Sequence, residues 1–294
     1  ADEAAEDIAL IDIARRDASL VAQHEGGAAD MIRDDTKHPH HVLILAIRFT
    51  GKFRNARDDA RKRVGIIDAL HALQRRDRAI EALSVGLSDA QASELLGVGR
   101  GGLAYWVAAI RESFEEAGLL LAVDEDDRMV GFANPEVAGR FHRHRIDVDT
   151  AVRALRDVVR EERLRLATDR MHYFSRWITP LGSPRRYDTR FFVAHAPEGQ
   201  VPSHDDRETI ANLWIRPTEA LERNEAGDFT LIFPTVRTLE VLARFDSAEA
   251  VVAHARSIAE FPAILPRIVE DGGGLRIVLP GDEVYDAFSS KRLN

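Results

Sequence analysis

Three glutamates and an arginine stand close together in the run Arg111-Glu112-Ser113-Phe114-Glu115-Glu116-Ala117-Gly118. On a helix, Glu112 lies three and four residues from Glu115 and Glu116, so the three carboxylates share one face and repel one another. Mg²⁺ is a hard cation that takes carboxylate oxygens and can also bridge substrate phosphates. The spacing therefore predicts a site for Mg²⁺ or Mn²⁺, and the alternative is a solvated acidic helix without a metal.

Each member of this run has a predicted role. Glu112, Glu115 and Glu116 are the candidate metal ligands, and a metal held there lowers the pKa of a bound water. Either Glu115 or Glu116 is the candidate to take the proton from that water, and the sequence leaves both open. Arg111 is predicted to orient a carboxylate through a charge-assisted ion pair rather than to touch substrate. These four residues are the candidate catalytic residues.

The metal-binding run needs a helix to position it, and the residues around it predict one. The helix runs from about Leu103 to Ala117 and ends at Gly118, where a left-handed cap is wanted. A shorter helix precedes it, because Ser88 followed by Gln91 fits a capping box, in which side chains satisfy the free N–H groups of a helix start. After Gly118 the chain is expected to continue as a strand to Val123.

Strands and helices alternate through the rest of the chain. Further helices are expected near Val148–Leu166, Pro217–Arg223, Val236–Phe245 and Ala248–Glu260. Strands are expected near Val42–Ile47, Phe174–Thr179, Tyr187–Ala194, Leu213–Arg216 and Leu275–Leu279, and a helical repeat of apolar residues spans Val64–Leu73. This interleaving predicts an α+β fold in which helices cover a mixed sheet. We expect residues 1–88 to pack on or belong to that fold, and residues 89–294 to form the catalytic region with a C-terminal helical extension.

The run from Ala109 to Leu121 resembles the Nudix box, in the branch of the Nudix hydrolase superfamily that contains peroxisomal coenzyme A diphosphatases with a split box. Three downstream segments resemble the same branch in order and spacing. They are Trp177–Pro180, Arg185–Phe192 and Leu279–Tyr285. The resemblance covers roughly residues 103–286. It implies a Nudix αβα sandwich that uses a divalent metal to hydrolyse a diphosphate linkage in a nucleoside diphosphate derivative, with coenzyme A or acyl-CoA as the substrate of that branch.

Two positions depart from the family pattern. The full box has a glycine and then a glutamate upstream of the arginine; Gly97 fits the glycine, but Leu103 stands where the glutamate is wanted. In the split-box branch the first half lies far upstream, and the candidate in this chain is Gly26-Gly27 followed by Asp30 and Asp34. The missing glutamate keeps open a Nudix fold without activity, acting as a ligand-sensing or interaction module.

Other charged residues extend the predicted site. Glu208 lies where many Nudix enzymes place an additional carboxylate, and it is a candidate metal ligand or a surface glutamate. Arg185 and Arg186 could bind a diphosphate through bidentate hydrogen bonds, since guanidinium geometry suits phosphate oxygens. The alternative is a structural ion pair with Asp188 or a nearby glutamate. The histidines at five positions are interpreted as solvated or incidental rather than as a transition-metal site. Their positions are His38, His40, His41, His142 and His144.

Composition restricts the classes of partner. The chain has 294 residues, no cysteine and a net charge of −9. The absence of cysteine excludes disulfides, zinc–thiolate sites and cysteine nucleophiles. Neither a basic-then-apolar start nor a membrane-length apolar run is present. We therefore expect a cytoplasmic protein with a small-molecule partner and with neither nucleic acid nor membrane, and a homodimer is left open.

A helix-turn-helix is the rival interpretation from another class. Ser88–Val107 contains two short helices separated by Gly97-Val98-Gly99, which is typical of that DNA-binding motif. A recognition helix needs Arg, Lys, Asn or Gln to reach base edges, whereas the start of the second helix is mostly apolar. The negative charge of the chain also repels a phosphate backbone. The sequence therefore favours the hydrolase over a DNA-binding protein.

Overall fold

A computed structural model describes residues 9–14, 42–51, 81–181, 183, 186–202, 209–228, 230–271 and 274–285. Its elements follow in the order β1 (Ala9–Ala14), β2 (Val42–Gly51), β3 (Ser84–Val85), α1 (Asp89–Leu96), α2 (Leu103–Ala117), β4 (Ala122–Val123), α3 (Pro135–Asp149), α4 (Leu155–Glu161), β5 (Arg165–Ala167), β6 (Met171–Ile178), β7 (Arg186–His195), β8 (Thr209–Ile215), α5 (Pro217–Ala226), α6 (Phe233–Leu242), α7 (Ala248–Ser257), β9 (Ala263–Ile264), β10 (Arg267–Asp271) and β11 (Gly274–Val278).

A six-stranded mixed sheet forms the centre of the fold. Its strand order is β8-β1-β2-β7-β6-β9. The β1–β2 and β6–β9 pairs are parallel, while β8–β1, β2–β7 and β7–β6 are antiparallel. Strands β1 and β2 come from the first 88 residues, so that part of the chain contributes to the same sheet as β6, β7 and β8. The boundary at residue 88 between two regions stays a prediction.

Side chains that alternate along β7 face two different helical layers. Phe192 and Ala194 belong to a core shared with α1–α4, whereas Phe191 and Val193 belong to a core shared with α5–α7. This is the period of two that places neighbouring strand residues on opposite faces of a sheet. Helices therefore cover both faces of the sheet, and the αβα layering predicted from the sequence is confirmed.

Helix α2 is the best-buried helix of the first layer. Trp106 is 1% exposed, packs edge-on against Phe192 with ring centroids 5.2 Å apart, and donates from Nε1 to the Met171 carbonyl at 2.9 Å. Burying an indole lowers the stability of a protein unless the indole N–H makes a hydrogen bond. Here the Met171 carbonyl at the start of β6 accepts that hydrogen bond. This contact fixes the helix against β6 and β7.

The described elements confirm most of the predicted ones, with two corrections. The helix expected over Val148–Leu166 is wrong: α3 ends at Asp149, Ala151 has a positive φ of 56°, and a shorter α4 and strand β5 follow. The strand expected from Leu119 is confined to Ala122–Val123. The apolar repeat at 64–73 lies outside the described residues. Within the ranges given above, no helix is both long and apolar enough to cross a membrane.

Candidate active site

Helix α2 presents a narrow charged strip on an otherwise buried surface. Ten of its residues are buried, and the four that are half-buried in its second half are Arg111, Glu112, Glu115 and Glu116. The helix ends at Gly118, whose φ of 72° allows its N–H to bond the Phe114 carbonyl at 3.1 Å. A left-handed residue there favours glycine, because it lacks the Cβ that would clash. The predicted bounds of this helix are therefore confirmed.

Arg111 joins two of the three carboxylates. Its Nη2 donates to Glu112 and its Nη1 donates to Glu115. The side chains of Arg111 and Glu112 are 34% and 31% exposed, whereas that of Glu115 is only 12% exposed. The carboxylate-orienting geometry expected for Arg111 is present. Glu116 lies one residue beyond Glu115 and belongs to the same half-buried strip.

The negative charge of the Glu115 carboxylate is only partly stabilised by the groups around it. Burial raises the pKa of Glu115 to about 6, the Arg111 guanidinium acts in the opposite direction, and the Glu112 carboxylate raises it further. The pKa stays high beside an arginine because burial penalises the carboxylate charge more than Arg111 stabilises it, so an additional cation nearby would be favourable. Hard carboxylate oxygens at this spacing suit Mg²⁺ or Mn²⁺, so the residues present fit such an ion.

Both ends of α2 are held by residues from other helices that we did not single out in the sequence. At the N-terminus, Asp89 of α1 accepts from the Gly101 N–H at 2.9 Å and the Leu103 N–H at 3.0 Å, which replaces the side-chain cap that Gly102 lacks. At the C-terminus, Arg145 of α3 donates to the carbonyls of Glu115 at 2.9 Å and Glu116 at 2.8 Å. Each charge complements the helix dipole at its end.

The sequence contains a signal for the start of α3. Asn134 precedes Pro135, and the Asn134 side chain accepts from the Glu136 N–H at 2.8 Å as an N-cap. Asparagine followed by proline at the first helical position is a known helix start. This signal predicts that Arg145 lies near the last turn of a helix. It does not predict that Arg145 lies beside Glu115, because that contact joins residues thirty positions apart.

His144 is not the solvated histidine that the sequence led us to expect. It is 5% exposed, its Nε2 lies 2.9 Å from Glu162, and Arg153 lies 3.1 Å from its Nδ1. Since arginine only donates, Nδ1 accepts the hydrogen bond from Arg153, and the Nε2–H donates a hydrogen bond to Glu162. His144, Glu161 and Glu162 lie within 4.8 Å of one another and could in principle hold a metal.

Arginines already satisfy both carboxylates of that group. Arg140 donates to the two oxygens of Glu162 at 2.7 and 3.0 Å, and Arg153 donates to Glu161 at 2.5 Å. Burial would raise the pKa of Glu162, but the hydrogen bonds from Arg140 and His144 hold it below its usual value. This pattern is typical of an ion-pair network, here joining α3 to the end of α4. His38, His40 and His41 lie outside the described residues.

A cavity of about 230 Å³ lies beside the C-terminal end of α2. Its lining includes Phe114, Phe132, Phe141, Arg145 and Val201. Phe114 is two residues from Glu112 and Glu116, so it lies on nearly the opposite side of the helix. The residues of the charged strip, Arg111, Glu112, Glu115 and Glu116, are not among those that line the cavity.

A family model matches this arrangement. Residues 49–242 match the NUDT19 Nudix domain, a segment that includes the end of β2, all of α2 and the sheet strands β6–β8. The chain belongs to the NUDT19 Nudix domain family. Helix α2 carries the run that resembles the Nudix box, and we call it the Nudix helix. The predicted resemblance to the split-box branch of coenzyme A diphosphatases is confirmed.

Curated relatives carry the same name. The acyl-coenzyme A diphosphatase NUDT19 of Homo sapiens is 29% identical over 198 residues, which cover 62% of this chain and 51% of that protein. The Gallus gallus protein of that name is 30% identical over 205 residues, covering 63% and 53%. The chain spans about half the length of these relatives. A Nudix hydrolase structure from Alicyclobacillus acidocaldarius aligns with a TM-score of 0.46 at 23% identity, over 58% of this chain and 69% of that one.

Of the remaining predicted site residues, only Arg186 lies among those that the structure describes. Arg186 begins β7 and donates from Nε to the Thr179 carbonyl at 2.9 Å. Arg185 and Glu208 lie outside the described residues, as does the candidate first half of the Nudix box at 26–34. Leu103, which stands where the box has a glutamate, is 3% exposed and packs in the core. Its side chain therefore packs in the hydrophobic core and offers no oxygen to a metal.

Proposed function

We propose that this protein is a metal-dependent hydrolase that cleaves the diphosphate linkage of a nucleoside diphosphate derivative, with coenzyme A or acyl-CoA as its substrate class. The observation that carries the proposal is the half-buried strip of Glu112, Glu115 and Glu116, two of which share Arg111. The substrate class follows from the relatives named acyl-coenzyme A diphosphatase. A cytoplasmic location stays a prediction from the sequence.

The Nudix helix supplies the groups that this chemistry needs. Glu112, Glu115 and Glu116 would hold Mg²⁺ or Mn²⁺, with Glu208 as an additional candidate ligand. A bound divalent ion supplies charge neutralisation at the diphosphate and a water of lowered pKa. Arg111 keeps Glu112 and Glu115 oriented by donating to each. Glu115 or Glu116 accepts the proton of the attacking water, and Arg185 and Arg186 are candidates to hold the substrate phosphates.

The core of the mechanism can be tested with one screen. Diphosphate-linked nucleotides, including coenzyme A, ADP-ribose, dinucleotides and nucleotide sugars, are incubated with the protein and Mg²⁺ or Mn²⁺, and products are identified by mass. Hydrolysis of coenzyme A at its diphosphate should yield adenosine 3′,5′-bisphosphate and 4′-phosphopantetheine, with the elements of one water divided between them. Absence of products from every substrate with both metals would reject the proposal.

A Nudix fold without activity is the second candidate, because Leu103 removes one carboxylate from the box. Such a module would bind the nucleotide and release it unchanged, so binding without products would favour it. The structure gives no corresponding support to the DNA-binding rival. Leu103, Tyr105 and Trp106 begin the second helix and are 3%, 5% and 1% exposed, so they pack in the core instead of facing a groove.

A further inference from the structure

The last turn of α2 carries two candidate metal ligands, and the N–H groups that follow it are used elsewhere. In a longer helix the N–H groups of Leu119 and Leu120 would bond the carbonyls of Glu115 and Glu116. Here the Leu119 N–H turns back to the Ser113 carbonyl at 3.2 Å, and the Leu120 N–H donates at 2.8 Å to a glutamine side chain after β7. The carbonyls of the two glutamates therefore need donors from outside the helix.

Arg145 of α3 supplies a donor to each of these carbonyls. Its Nε donates to the Glu115 carbonyl at 2.9 Å, and its Nη2 donates to the Glu116 carbonyl at 2.8 Å. Both donors belong to one planar guanidinium group, so the two carbonyls are held at a fixed separation. Arg145 thus restrains the backbone of the two glutamates, whereas Arg111 restrains the carboxylates of Glu112 and Glu115.

Neighbours of Arg145 on α3 fix the helix that carries it. His144 lies 2.9 Å from Glu162, and Arg140 donates to both oxygens of the same carboxylate at the end of α4. Phe141, about one turn before Arg145, is 2% exposed and stacks on a second phenylalanine with ring centroids 4.5 Å apart. Helix α3 is therefore joined to α4 and packed in the core, and Arg145, itself 5% exposed, is presented to α2 from a rigid support.

The charge and the hydrogen bonds of Arg145 have opposite effects on a metal ion. A guanidinium at the last turn of α2 repels a cation bound to Glu115 and Glu116, so its charge alone weakens Mg²⁺ binding. The hydrogen bonds strengthen binding, because they prevent the last turn from fraying and keep both glutamates oriented. Groups that orient a metal ligand contribute about ten- to a hundredfold to metal affinity. Since water screens the repulsion at the half-buried strip, we expect the orienting effect to dominate.

We propose that Arg145 is a positioning residue for the metal site: it fixes Glu115 and Glu116 through their backbone carbonyls and thereby raises the affinity of the site for Mg²⁺ or Mn²⁺. The inference rests on the proposed function, in which these glutamates hold the ion. It adds to the residues that the reaction needs one from a different helix, which acts on the ion only through the two glutamates.

Titration calorimetry of the whole chain with MgCl₂ and MnCl₂ tests the inference without turnover. Arg145→Met removes the charge and both donors but keeps the length of the side chain, and it should weaken binding by about ten- to a hundredfold. Loss of charge alone would strengthen binding, so the direction of the change separates the two effects. Arg145→Lys keeps the charge but loses the forked donors, so its affinity should lie between those of the wild type and Arg145→Met. Arg143→Met, which removes an exposed arginine of the same helix, is the matched control and should bind as the wild type does.

Turnover of the best substrate from the screen gives a second measurement. In Arg145→Met the Mg²⁺ concentration that gives half-maximal activity should rise by the same factor as the dissociation constant, whereas kcat at saturating Mg²⁺ should fall much less. A loss of kcat that saturating Mg²⁺ does not relieve, with metal affinity unchanged, would contradict a role that acts through the metal.

The outcomes separate this inference from the proposed function. An affinity in Arg145→Met that equals or exceeds the wild-type value would overturn the inference and leave the metal site in place. A wild type that binds neither ion would overturn the inference together with the metal dependence. Weakened binding in Arg145→Met, with no substrate turned over by the wild type, would support the inference and reject the hydrolase. If Arg145→Met does not fold, Arg145→Lys decides, and wild-type affinity in that variant would overturn the inference.

Discussion

Glu112 and Glu115 have different surroundings although one arginine serves both. Glu115 is 12% exposed and has a pKa of about 6, because burial penalises its charge more than Arg111 relieves it. Glu112 is 31% exposed, so water screens its charge better. The helix therefore holds at least one carboxylate whose charged form a bound cation would stabilise further. The raised pKa supports the proposed metal site, because a carboxylate on a fully solvated acidic helix would not show it.

Glu115 should make the metal-free protein less stable as pH rises. Its pKa is about 6 when folded and 4.5 in the reference state, so between these values the folded state binds more protons. Stability contributed by that proton is complete below about pH 4.5 and is lost as pH rises through 6, by about 2 kcal/mol in total. The measurement is urea unfolding of the wild type and Glu115→Gln in a chelator at several pH values. Parallel stability curves for the two proteins would contradict the assignment.

Glu116→Gln should remove turnover while the fold persists. The amide preserves the shape of the side chain but loses the charge that holds metal or accepts a proton, and loss of a general base alone costs about a hundred- to ten-thousand-fold in rate. Glu116 also lies near the C-terminus of α2, where negative charge is unfavourable, so the melting temperature without metal should stay level or rise. Turnover is measured on the best substrate of the screen. Glu94→Gln, an exposed glutamate of α1, is the control, and wild-type turnover in Glu116→Gln would reject this helix as the catalytic centre.

At the scale of elements, α2 keeps its position through contacts made at each end by neighbouring helices. Asp89 of α1 caps its first turn, and Arg145 of α3 bonds the carbonyls of its last turn. The α1–α2 contact is close: the Gly102 N–H donates to the Ser93 hydroxyl at 2.9 Å. The carboxylate strip is therefore positioned by three helices acting together rather than by α2 alone.

Gly102→Ala should loosen that contact. A Cβ at Gly102 would lie 2.2 Å from the backbone nitrogen of Ser93, and backbone cannot move aside as a flexible side chain can. Overpacking of this kind costs about 1–3 kcal/mol or more. Gly99→Ala is the matched control, because a Cβ there would meet nothing within 4 Å. Urea unfolding should show a large loss for Gly102→Ala and little change for Gly99→Ala; equal stability of the two variants would show that α1 and α2 are not packed this closely.

At the scale of the whole molecule, the central sheet packs against both the helix that carries the candidate site and the second helical layer. Phe192 packs towards α2 while its neighbour Phe191 packs towards α5–α7, so one strand serves both helical layers. Binding at the carboxylate strip therefore acts on a helix that is part of the main core. A ligand that binds only this folded arrangement must stabilise the domain as a whole.

Millimolar Mg²⁺ or Mn²⁺ should raise the melting temperature. An ion present at a hundred times its dissociation constant adds about 2.7 kcal/mol to the free energy of unfolding. Thermal unfolding is followed with MgCl₂ and, as a control, with NaCl at equal ionic strength. The double variant Glu112→Gln/Glu116→Gln should lose the Mg²⁺ effect. An identical melting curve in both salts for the wild type, together with no heat of binding, would count against the metal site.

Local signals were sufficient for the helices and for the chemistry of their faces. The capping box of Ser88 and Gln91 forms as predicted, and α2 begins at Leu103 and ends at Gly118. These features depend on residues three to seven positions apart, where backbone geometry alone brings groups together. For the same reason, the pairing of Arg111 with Glu115, four residues further along the helix, could be expected from the sequence.

Contacts between distant residues were decided only by the tertiary structure. Arg145 reaches Glu115 across thirty positions, and His144 is buried because Glu162 lies beside it. Arg176 joins Arg190 only because a bulge in β6 changes which face its side chain occupies, and no periodicity in the sequence encodes that shift. The sequence by itself thus determined the charged strip of the Nudix helix, while the packing of sheet against helix decided which charges surround it, since burial and long-range pairing arise only when the chain folds.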